Sequence, residues 1–175
     1  MSVTVDIPTI ETDRLRLRAW RPADFDALAV FAMDEERARY RGGARADRDA
    51  AWAMMAAQSG DWALLGFGGV AIAARDDDTA IGMTGLWQPP SQPEPELFWS
   101  LFAGSEGQGF ATEAATAMRI WAHGAGHDRL ISLIHPDNTG SRGVAKRLGA
   151  THDGNAQLGG EPREIWRHPA PDQRH

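Results

Sequence analysis

A glycine-rich segment, Glu106-Gly-Gln-Gly-Phe-Ala-Thr-Glu113, follows a strand-like run and leads directly into an alanine-rich helical pattern. Gly107 and Gly109 lack a Cβ atom, so the backbone there can turn tightly and approach a ligand closely. The N–H groups that follow begin a helix whose positive dipole end faces the same ligand. The segment therefore predicts a binding site for the diphosphate of a cofactor.

Two common nucleotide-binding loops fit this segment poorly. A P-loop needs Gly-Lys-Ser/Thr after its spacer, whereas this chain has Gly109-Phe110-Ala111. A dinucleotide fingerprint needs Gly or Ala at its third position within the first βαβ unit, whereas Thr112 occupies that position past the middle of the chain. ATP and NAD are therefore disfavoured as ligands.

The segment resembles motif A of the GNAT superfamily of acyl-CoA N-acyltransferases, written Gln/Arg-x-x-Gly-x-Gly/Ala. Gly109 and Ala111 lie at the matching glycine positions, and Glu106 replaces the usual Gln or Arg. The resemblance implies that acetyl-CoA binds here as the acyl donor. Because Glu106 is acidic, we expect backbone amides rather than this side chain to hold the phosphates.

Two further segments resemble the Rim-type branch of that superfamily, the ribosomal-protein N-acetyltransferases and their relatives. Ile10-Glu-Thr-Asp-Arg-Leu-Arg-Leu-Arg18, followed by Arg21-Pro-Ala-Asp24, is similar to the opening strand and helix of the branch. Asn138-Thr-Gly-Ser-Arg142 and Lys146-Arg-Leu-Gly149 are similar to its Asn-x-x-Ser…Leu-Gly-Phe helix, with Ala150 in place of the aromatic residue. The resemblance implies the α/β GNAT fold, a mixed, mostly antiparallel, splayed sheet flanked by helices on both faces.

The resemblance also indicates which residues contact acetyl-CoA. In the family, pantetheine pairs as a pseudo-strand with an open strand edge, where a backbone N–H also meets the developing oxyanion. The corresponding residues of this chain lie on one strand, in the glycine-rich loop and at the start of a later helix. They are Trp99, Ser100, Leu101, Gly107, Gln108, Gly109, Phe110, Ala111, Thr112, Asn138 and Ser141.

Acetyl transfer to an amine needs a base, because amines with pKa values of about 8 to 10.4 are protonated at neutral pH. Glu96 is the expected base, since it begins a predicted strand and the family has a glutamate there in several members. The alternative is that Glu96 is an exposed charge at a strand end. His135 and Asp137, in a loop after another strand, are the reserve candidates.

The leaving thiolate needs a proton donor. Many family members use a tyrosine seven positions after the asparagine, and that position is Ala145 here. Ser141 is the expected substitute, either as the donor or as the holder of a water molecule, and it is also expected to cap its helix. Asn138 is expected to hydrogen-bond pantetheine or the substrate amide.

Acceptor-binding residues are harder to assign from the sequence. Tyr40 lies between two predicted helices, in a segment that walls the acceptor pocket in the Rim-type branch, and Trp87 ends a predicted strand. Both are candidates for this pocket, although aromatic residues at such places also fill cores. His123 and His127 have i, i+4 spacing, but glycines interrupt the helix between them, so we expect no metal.

Taken together, the motifs predict an acetyl-CoA-dependent N-acetyltransferase that moves acetyl to a primary amine by direct attack in a ternary complex. The acceptor is either a protein N-terminus or a small-molecule amine, and the resemblance does not decide between them. The alternative from another class is a noncatalytic acyl-CoA-binding or regulatory module. The substitutions at Ala145 and Glu106 favour that alternative.

Composition restricts the partners and the location. The chain has 175 residues and a net charge of −6, from 18 Lys and Arg against 24 Asp and Glu. We expect one domain over residues 1–175 with a core at 10–168, and no nucleic-acid partner. Without cysteines, a basic leader or a long apolar run, the chain is expected to be soluble and cytoplasmic, without a membrane partner. A homodimer is possible on family grounds, and the polar tail over 169–175 is expected to fray.

Periodicity predicts the elements that position these residues. Alternating apolar residues indicate strands over residues 14–19, 68–74, 80–87, 96–102, 131–134, 151–158 and 164–167. Helical spacing indicates helices beginning at residue 22, over 47–58, from 110 until the glycines at 124 and 126, and over 141–148. The strands over 68–74 and 80–87 are expected to form a hairpin.

Overall fold

A computed structural model describes residues 5–171, which form an eight-stranded sheet with α-helices on both faces. The strands are β1 (Ile10–Glu11), β2 (Leu15–Arg18), β3 (Gly69–Ala74), β4 (Ala80–Trp87), β5 (Glu96–Leu101), β6 (Ile131–Ile134), β7 (Thr151–Leu158) and β8 (Glu161–Arg167). The helices are α1 (Phe25–Ala32), α2 (Glu35–Ala38), α3 (Arg48–Leu65), α4 (Phe110–Gly124) and α5 (Thr139–Arg147).

The sheet is mixed and mostly antiparallel, with the strand order β1-β2-β3-β4-β5-β6-β8-β7. β5 and β6 run parallel and share a single register pair, Glu96 opposite Ile131, whereas β4 and β5 pair along six positions. The ladder between β5 and β6 therefore stops soon after it starts. This interruption confirms the splayed α/β sheet that the sequence predicts.

Alternation along the strands divides the core into two layers. Val70 and Ile72 of β3 face one side of the sheet, where they pack with Met118 of α4. Ala71, between them, faces the other side and packs in the cluster that contains Leu28 of α1. Both faces of the sheet are thus covered, because each buries its own set of apolar side chains.

The second long helix is longer than the sequence predicts. The prediction ended it at Gln58, but α3 continues through Ser59 and Gly60 to Leu65. Trp62 is buried there and donates its Nε1–H to the carbonyl oxygen of Gly69 at 3.0 Å, so tertiary packing outweighs the poor helix propensity of Gly60. Asp47 caps the other end by accepting from the N–H of Ala50 at 2.9 Å.

Three smaller elements also differ from the prediction. β1 and α2 were not predicted, because two-residue and four-residue elements carry no periodic signal. β8 begins at Glu161, three residues earlier than predicted, although Pro162 lies within it. The polar tail falls partly outside the described residues: 169–171 have no regular structure, and 172–175 are not described. Among residues 5–171, no helix combines the length and apolarity of a membrane span.

His168, just after β8, is buried in a network that fixes its tautomer. The hydroxyl of Ser132 donates to the carbonyl oxygen of Leu97 at 2.6 Å, so its oxygen must accept from Nε2–H of His168, 2.8 Å away. Nδ1 then carries no proton, and it has no hydrogen-bond partner among the described residues. Burial, followed by the positive charges of Arg119 and His123, lowers the pKa of His168 to about 4.

This histidine is expected to make the fold sensitive to acid. The native state keeps the ring neutral down to about pH 4, whereas the unfolded chain takes up a proton below pH 6.5. The contribution of His168 to stability is therefore full above pH 6.5 and falls as the pH is lowered towards 4, by about 2 kcal/mol between pH 8 and 5. Glu96, whose pKa is raised, contributes in the opposite direction, so the His168 contribution is obtained by comparing the wild type with a variant in urea unfolding at both pH values. His168→Asn, which keeps an N–H donor but does not titrate, should lose about 2 kcal/mol less over the same interval. An equal loss in both proteins would show that His168 is not responsible.

Candidate active site

The glycine-rich loop connects β5 to α4 and has the backbone that the sequence predicts. Gly107 (φ 76°) and Gly109 (φ 81°) are both left-handed, and Gly109 is the N-cap residue of α4. Since L side chains rarely adopt this conformation, glycine lets the loop turn and expose the first N–H groups of α4. The loop thus has the backbone geometry that an anion-binding site at a helix start requires.

Arg14, just before β2, contacts the glycine-rich loop through its guanidinium group. It donates from Nη1 to the carbonyl oxygen of Gln108 at 3.0 Å, and its guanidinium lies 4.5 Å from the ring centre of Phe110. It is held there by Glu113, which accepts from Nε of Arg14 at 2.8 Å and from the hydroxyl of Thr12 at 2.6 Å. Glu113 therefore joins the start of the chain to α4, a more specific structural role than complementing the helix dipole.

Glu106 lies in the loop and is neutralised by an arginine from another element. Its carboxylate accepts from the guanidinium of Arg37 on α2 and from the N–H of Gly104, the latter at 2.9 Å. Burial opposes ionisation, but these hydrogen bonds outweigh it and lower the pKa of Glu106. The carboxylate at this motif position is therefore paired with a positively charged side chain of α2. Arg37 was not predicted, because its partner is 69 residues away in sequence.

The edge of β5 that faces β6 is open beyond Leu97. Backbone groups of even-numbered residues point to β4, since the N–H of Phe102 donates to Ile81 at 2.8 Å. Odd-numbered residues point to β6, since the carbonyl oxygens of Pro95 and Leu97 accept from that strand. The backbone groups of Trp99 and the N–H of Leu101 therefore face the gap, where the expected pseudo-strand would pair. The backbone groups of Ser100 face β4, although its hydroxyl is near the gap.

Glu96 lies where β5 and β6 are still joined. Its side chain is partly buried, accepts from the N–H of Leu133 at 3.4 Å, and so is not the exposed strand-end charge of the alternative reading. Burial raises the pKa of Glu96 to about 7, although the positive charges of Arg41 and Arg163 and the bond from Leu133 oppose the rise. A carboxylate with this pKa can accept and release a proton at neutral pH.

The two reserve bases lie in the loop after β6. The ring of His135 stacks 5.0 Å from that of Tyr40, and its Nδ1 accepts from the N–H of Asp137 at 3.1 Å. The side chain of Asp137 is 78% exposed. Asp137 is thus exposed to solvent, whereas His135 is partly buried, as Glu96 is, and its Nδ1 is already occupied by the N–H of Asp137.

The start of α5 corrects one prediction. Asn138, not Ser141, is the N-cap: its Oδ1 accepts from the N–H of Ser141 at 3.1 Å. Ser141 is three residues further on, where its hydroxyl is not needed as a cap and its backbone is the capped group. Asn138 is thus left with its amide NH₂ for a ligand. Ala145 is fully buried in the core.

Several predicted residues surround one groove of about 470 Å³ between α2, the glycine-rich loop and the start of α5. Tyr40, Glu106 and Asn138 are among its lining residues. Thr112 is tied to the same region, because Nε of Arg147 on α5 donates to its hydroxyl at 3.1 Å. Trp87 lies outside this groove but directly opposite Glu96 on β4, and it is 37% exposed.

The side chain of Trp99 does not face the groove. It is 8% exposed and packs in the core on the α4 side, so only its backbone is available to a ligand. Two arginines that the sequence analysis did not select, Arg41 and Arg163, lie near Glu96 instead. No sequence signal marks them, because isolated arginines are normally read as surface residues. Within residues 5–171, no group of three His, Cys, Asp and Glu side chains is placed to bind a metal.

Comparison with known proteins agrees with this geometry. Residues 14–151 match the model of the acetyltransferase (GNAT) domain. An acetyltransferase from Agrobacterium tumefaciens is 34% identical, with a TM-score of 0.84 over 96% of this chain and 98% of that chain.

Two ribosomal-protein acetyltransferases share the fold at lower identity. The ribosomal-protein-S5-alanine acetyltransferase from Vibrio fischeri is 15% identical, with a TM-score of 0.76 over 97% of this chain and 100% of that chain. The ribosomal L7/L12 α-N-protein acetyltransferase, solved in complex with coenzyme A, is 15% identical, with a TM-score of 0.74 over 93% of this chain and 98% of that chain. The family match, the shared fold and the glycine-rich loop together show that this chain belongs to the GNAT acetyltransferase family.

Proposed function

We propose that residues 10–168 form one catalytic domain that transfers acetyl from acetyl-CoA to a primary amine by direct attack in a ternary complex. The observation that carries the proposal is the position of Glu96, a partly buried carboxylate with a pKa of about 7 next to the open edge of β5. A noncatalytic binding module would have no use for a base tuned to neutral pH in this position.

Glu96 accepts a proton from the bound ammonium group, directly or through water, and so produces a neutral amine. The amine nitrogen attacks the thioester carbon, and the carbonyl oxygen becomes an oxyanion. The backbone N–H of Trp99 or Leu101, which faces the gap, donates to this oxyanion. The C–S bond then breaks, and the thiolate takes a proton from Ser141 or a water it holds, which regains one from solvent. The amide nitrogen and Glu96 each release one proton to solvent, which restores the enzyme.

Acetyl-CoA binds along the path that joins the loop to the open edge of β5. The N–H groups at the start of α4 bind the diphosphate, and Arg147 contributes positive charge beside them. The amide of Asn138 donates to pantetheine. Ser141 lies one turn further along α5, on the side of the sulfur.

The acceptor approaches from the Glu96 side of β5. Tyr40 and Trp87 are proposed as walls of its pocket, because Tyr40 lines the groove beside Asn138 and Trp87 is the cross-strand neighbour of Glu96. The names of the ribosomal-protein neighbours support a protein N-terminus as acceptor. A small-molecule amine fits the same chemistry.

A noncatalytic acyl-CoA-binding module is the second candidate. Two observations favour it: Ala145 replaces the tyrosine that many family members use as the acid, and Glu106 brings a carboxylate to the loop. The pairing of Glu106 with Arg37 weakens the second of these, since the loop gains no net negative charge.

Calorimetry with acetyl-CoA and CoA, using ATP and NAD as controls, tests the binding site. Release of free thiol over a panel of amines and N-terminal peptides then tests the reaction. Binding followed by amine-dependent thiol release would establish the transferase. Binding without release would favour the noncatalytic module, and absence of CoA binding would contradict both proposals.

A further inference from the structure

Arg163 of β8 is a buried arginine without a carboxylate partner. It is 3% exposed, and its guanidinium donates to two carbonyl oxygens, those of Pro162 at 2.8 Å and Tyr40 at 3.4 Å. Among residues 5–171, no carboxylate lies within ion-pairing distance of it. Arginine is rarely buried without an anion, because the desolvation of its charge is then uncompensated.

Arg41, just beyond α2, is a partly buried arginine that also has no carboxylate partner among the described residues. Its Nη1 donates to the hydroxyl of Ser100 and to the carbonyl oxygen of Trp99, the latter at 3.5 Å. The rings of Phe31 and Phe98 each lie 5.8 Å from its guanidinium carbon. Burial lowers the pKa of Arg41 to about 10, with the charge of Arg45 acting in the same direction and that of Glu96 opposing it. It is still a cation at neutral pH.

Arg18, which is as buried as Arg163, shows how this chain satisfies the charge of such a group. Arg18 is 3% exposed, and its guanidinium meets the carboxylate of Asp24 at 2.8 Å and that of Asp78 at 3.0 Å. Arg41 and Arg163 have no equivalent partners within the described part of the chain. Glu96 acts on both electrostatically but forms no ion pair with either, so two guanidinium groups lie near one carboxylate there.

Both arginines belong to the acceptor side of the site. Arg41 contacts β5 at Ser100, whose side chain shares a face with that of Glu96. Arg163 reaches the backbone of Tyr40, the residue before Arg41. A ligand whose amine approaches Glu96 would therefore meet both guanidinium groups with its neighbouring atoms.

We propose that the acceptor carries an oxyanion group, a carboxylate or a phosphate, close to its amine, and that Arg41 and Arg163 bind this group. The inference rests on the proposed transferase function and adds the substrate class. A guanidinium offers paired donors that match carboxylate and phosphate oxygens, and an anion here would compensate the charges of both arginines. Zwitterionic amines such as free amino acids carry both the amine and the oxyanion. Polyamines carry only the amine, and they add positive charge beside two guanidinium groups.

Matched acceptor pairs test this proposal in the thiol-release assay. One arm compares the free amino acids with their amides, and the other compares phosphoethanolamine with ethanolamine. The expected result is that the anionic member of at least one pair has a kcat/KM about 10- to 100-fold higher than its neutral partner, as for the loss of a charge-assisted hydrogen bond. The arm that shows the preference identifies carboxylate or phosphate. Equal or higher values for the neutral members would overturn the proposal.

Variants connect the preference to these residues. Arg41→Gln should raise KM for the anionic acceptor about 10-fold or more and leave KM for its neutral partner nearly unchanged. It should also shift the acidic limb of the kcat profile to higher pH, because it removes a positive charge that lowers the pKa of Glu96. Arg163→Gln should have the same effects on KM and on the acidic limb, provided that the variant folds. Arg48→Gln, which removes an exposed arginine paired with Asp26, is the matched control and should change neither quantity.

The results of these assays distinguish failure of the oxyanion proposal from failure of the transferase proposal. Thiol release with neutral amines only, or an equal rise of KM for both members of a pair in Arg41→Gln, would reject the oxyanion while the transferase stands. No thiol release with any amine would reject the transferase and, with it, this assignment of its substrate.

Discussion

Replacing Glu96 by Gln is expected to lower kcat about 10²- to 10⁴-fold at pH 8, the usual contribution of a general base. Glutamine keeps the size of the side chain and can still accept from the N–H of Leu133, so the splayed sheet should be preserved. Binding of acetyl-CoA, which depends on the loop and α5, should be unchanged. Steady-state thiol release and calorimetry measure the two effects separately.

The pH dependence gives a sharper test than the rate alone. With a pKa of about 7, Glu96 is ionised above pH 7 and protonated below it, so the wild-type rate should fall tenfold per pH unit on the acidic side. Glu96→Gln has no such group and should lack this limb. The variant reacts only with amine that is already neutral, so its rate should rise tenfold per pH unit up to the pKa of the acceptor amine. The ratio of the two rates is therefore largest at and below pH 7 and decreases as the pH approaches the pKa of the amine.

Two further variants identify the residue responsible. Asp137→Asn removes the reserve carboxylate, and Glu161→Gln removes an exposed carboxylate on β8 that serves as a control. If Glu96 is the base, Glu161→Gln should stay within about twofold of wild type, and Asp137→Asn should keep the acidic limb. A limb that survives in Glu96→Gln and disappears in Asp137→Asn would move the base to the loop after β6.

The glycine-rich loop shows what a sequence can predict about a site. Gly107 and Gly109 allow a left-handed backbone at two positions, and that conformation sets how α4 begins. The same is true of the hairpin of β3 and β4, whose turn residues and alternation are local. These features could be predicted because each depends on residues that are near each other in the chain.

The electrostatic properties of the site depend on residues that are far apart in the sequence. Glu96 was selected from the sequence, but its pKa is set by burial and by Arg41 and Arg163, which are 55 and 67 residues away from it. Glu106 is likewise changed by Arg37. The sequence showed a carboxylate at each position, and it could not show which cation the fold would bring to it.

The exchange of roles at α5 has a similar cause. Asn and Ser are both good cap residues, and the two positions are three residues apart, so either could begin the helix. The helix begins at Thr139 because Asn138 accepts from the N–H of Ser141. The functional consequence is that the hydroxyl of Ser141 is not used by the cap, as a donor to the thiolate requires.

Gly109→Trp is expected to abolish binding of acetyl-CoA and CoA, with a rise of at least 100-fold in Kd, which corresponds to about 2.7 kcal/mol. A Cβ at this position meets only Nη2 of Arg14, at 3.6 Å, so the protein tolerates the first atom of a side chain. The loop is exposed, and the indole would project beside the N–H groups that bind the diphosphate. The loss should therefore arise from blocked access, and calorimetry measures it directly.

Backbone strain must be separated from steric blocking, because a non-glycine residue at φ 81° costs about 1 to 2 kcal/mol wherever it lies. Gly126→Trp is the matched control: its φ is 92°, a Cβ there meets nothing within 4 Å, and it follows the opposite end of α4. Both variants should lose similar stability in urea unfolding, and only Gly109→Trp should lose acetyl-CoA. Equal affinity in the two variants would remove the loop from the cofactor site. Weak binding in both would show that strain in α4, and not access to the loop, controls the affinity.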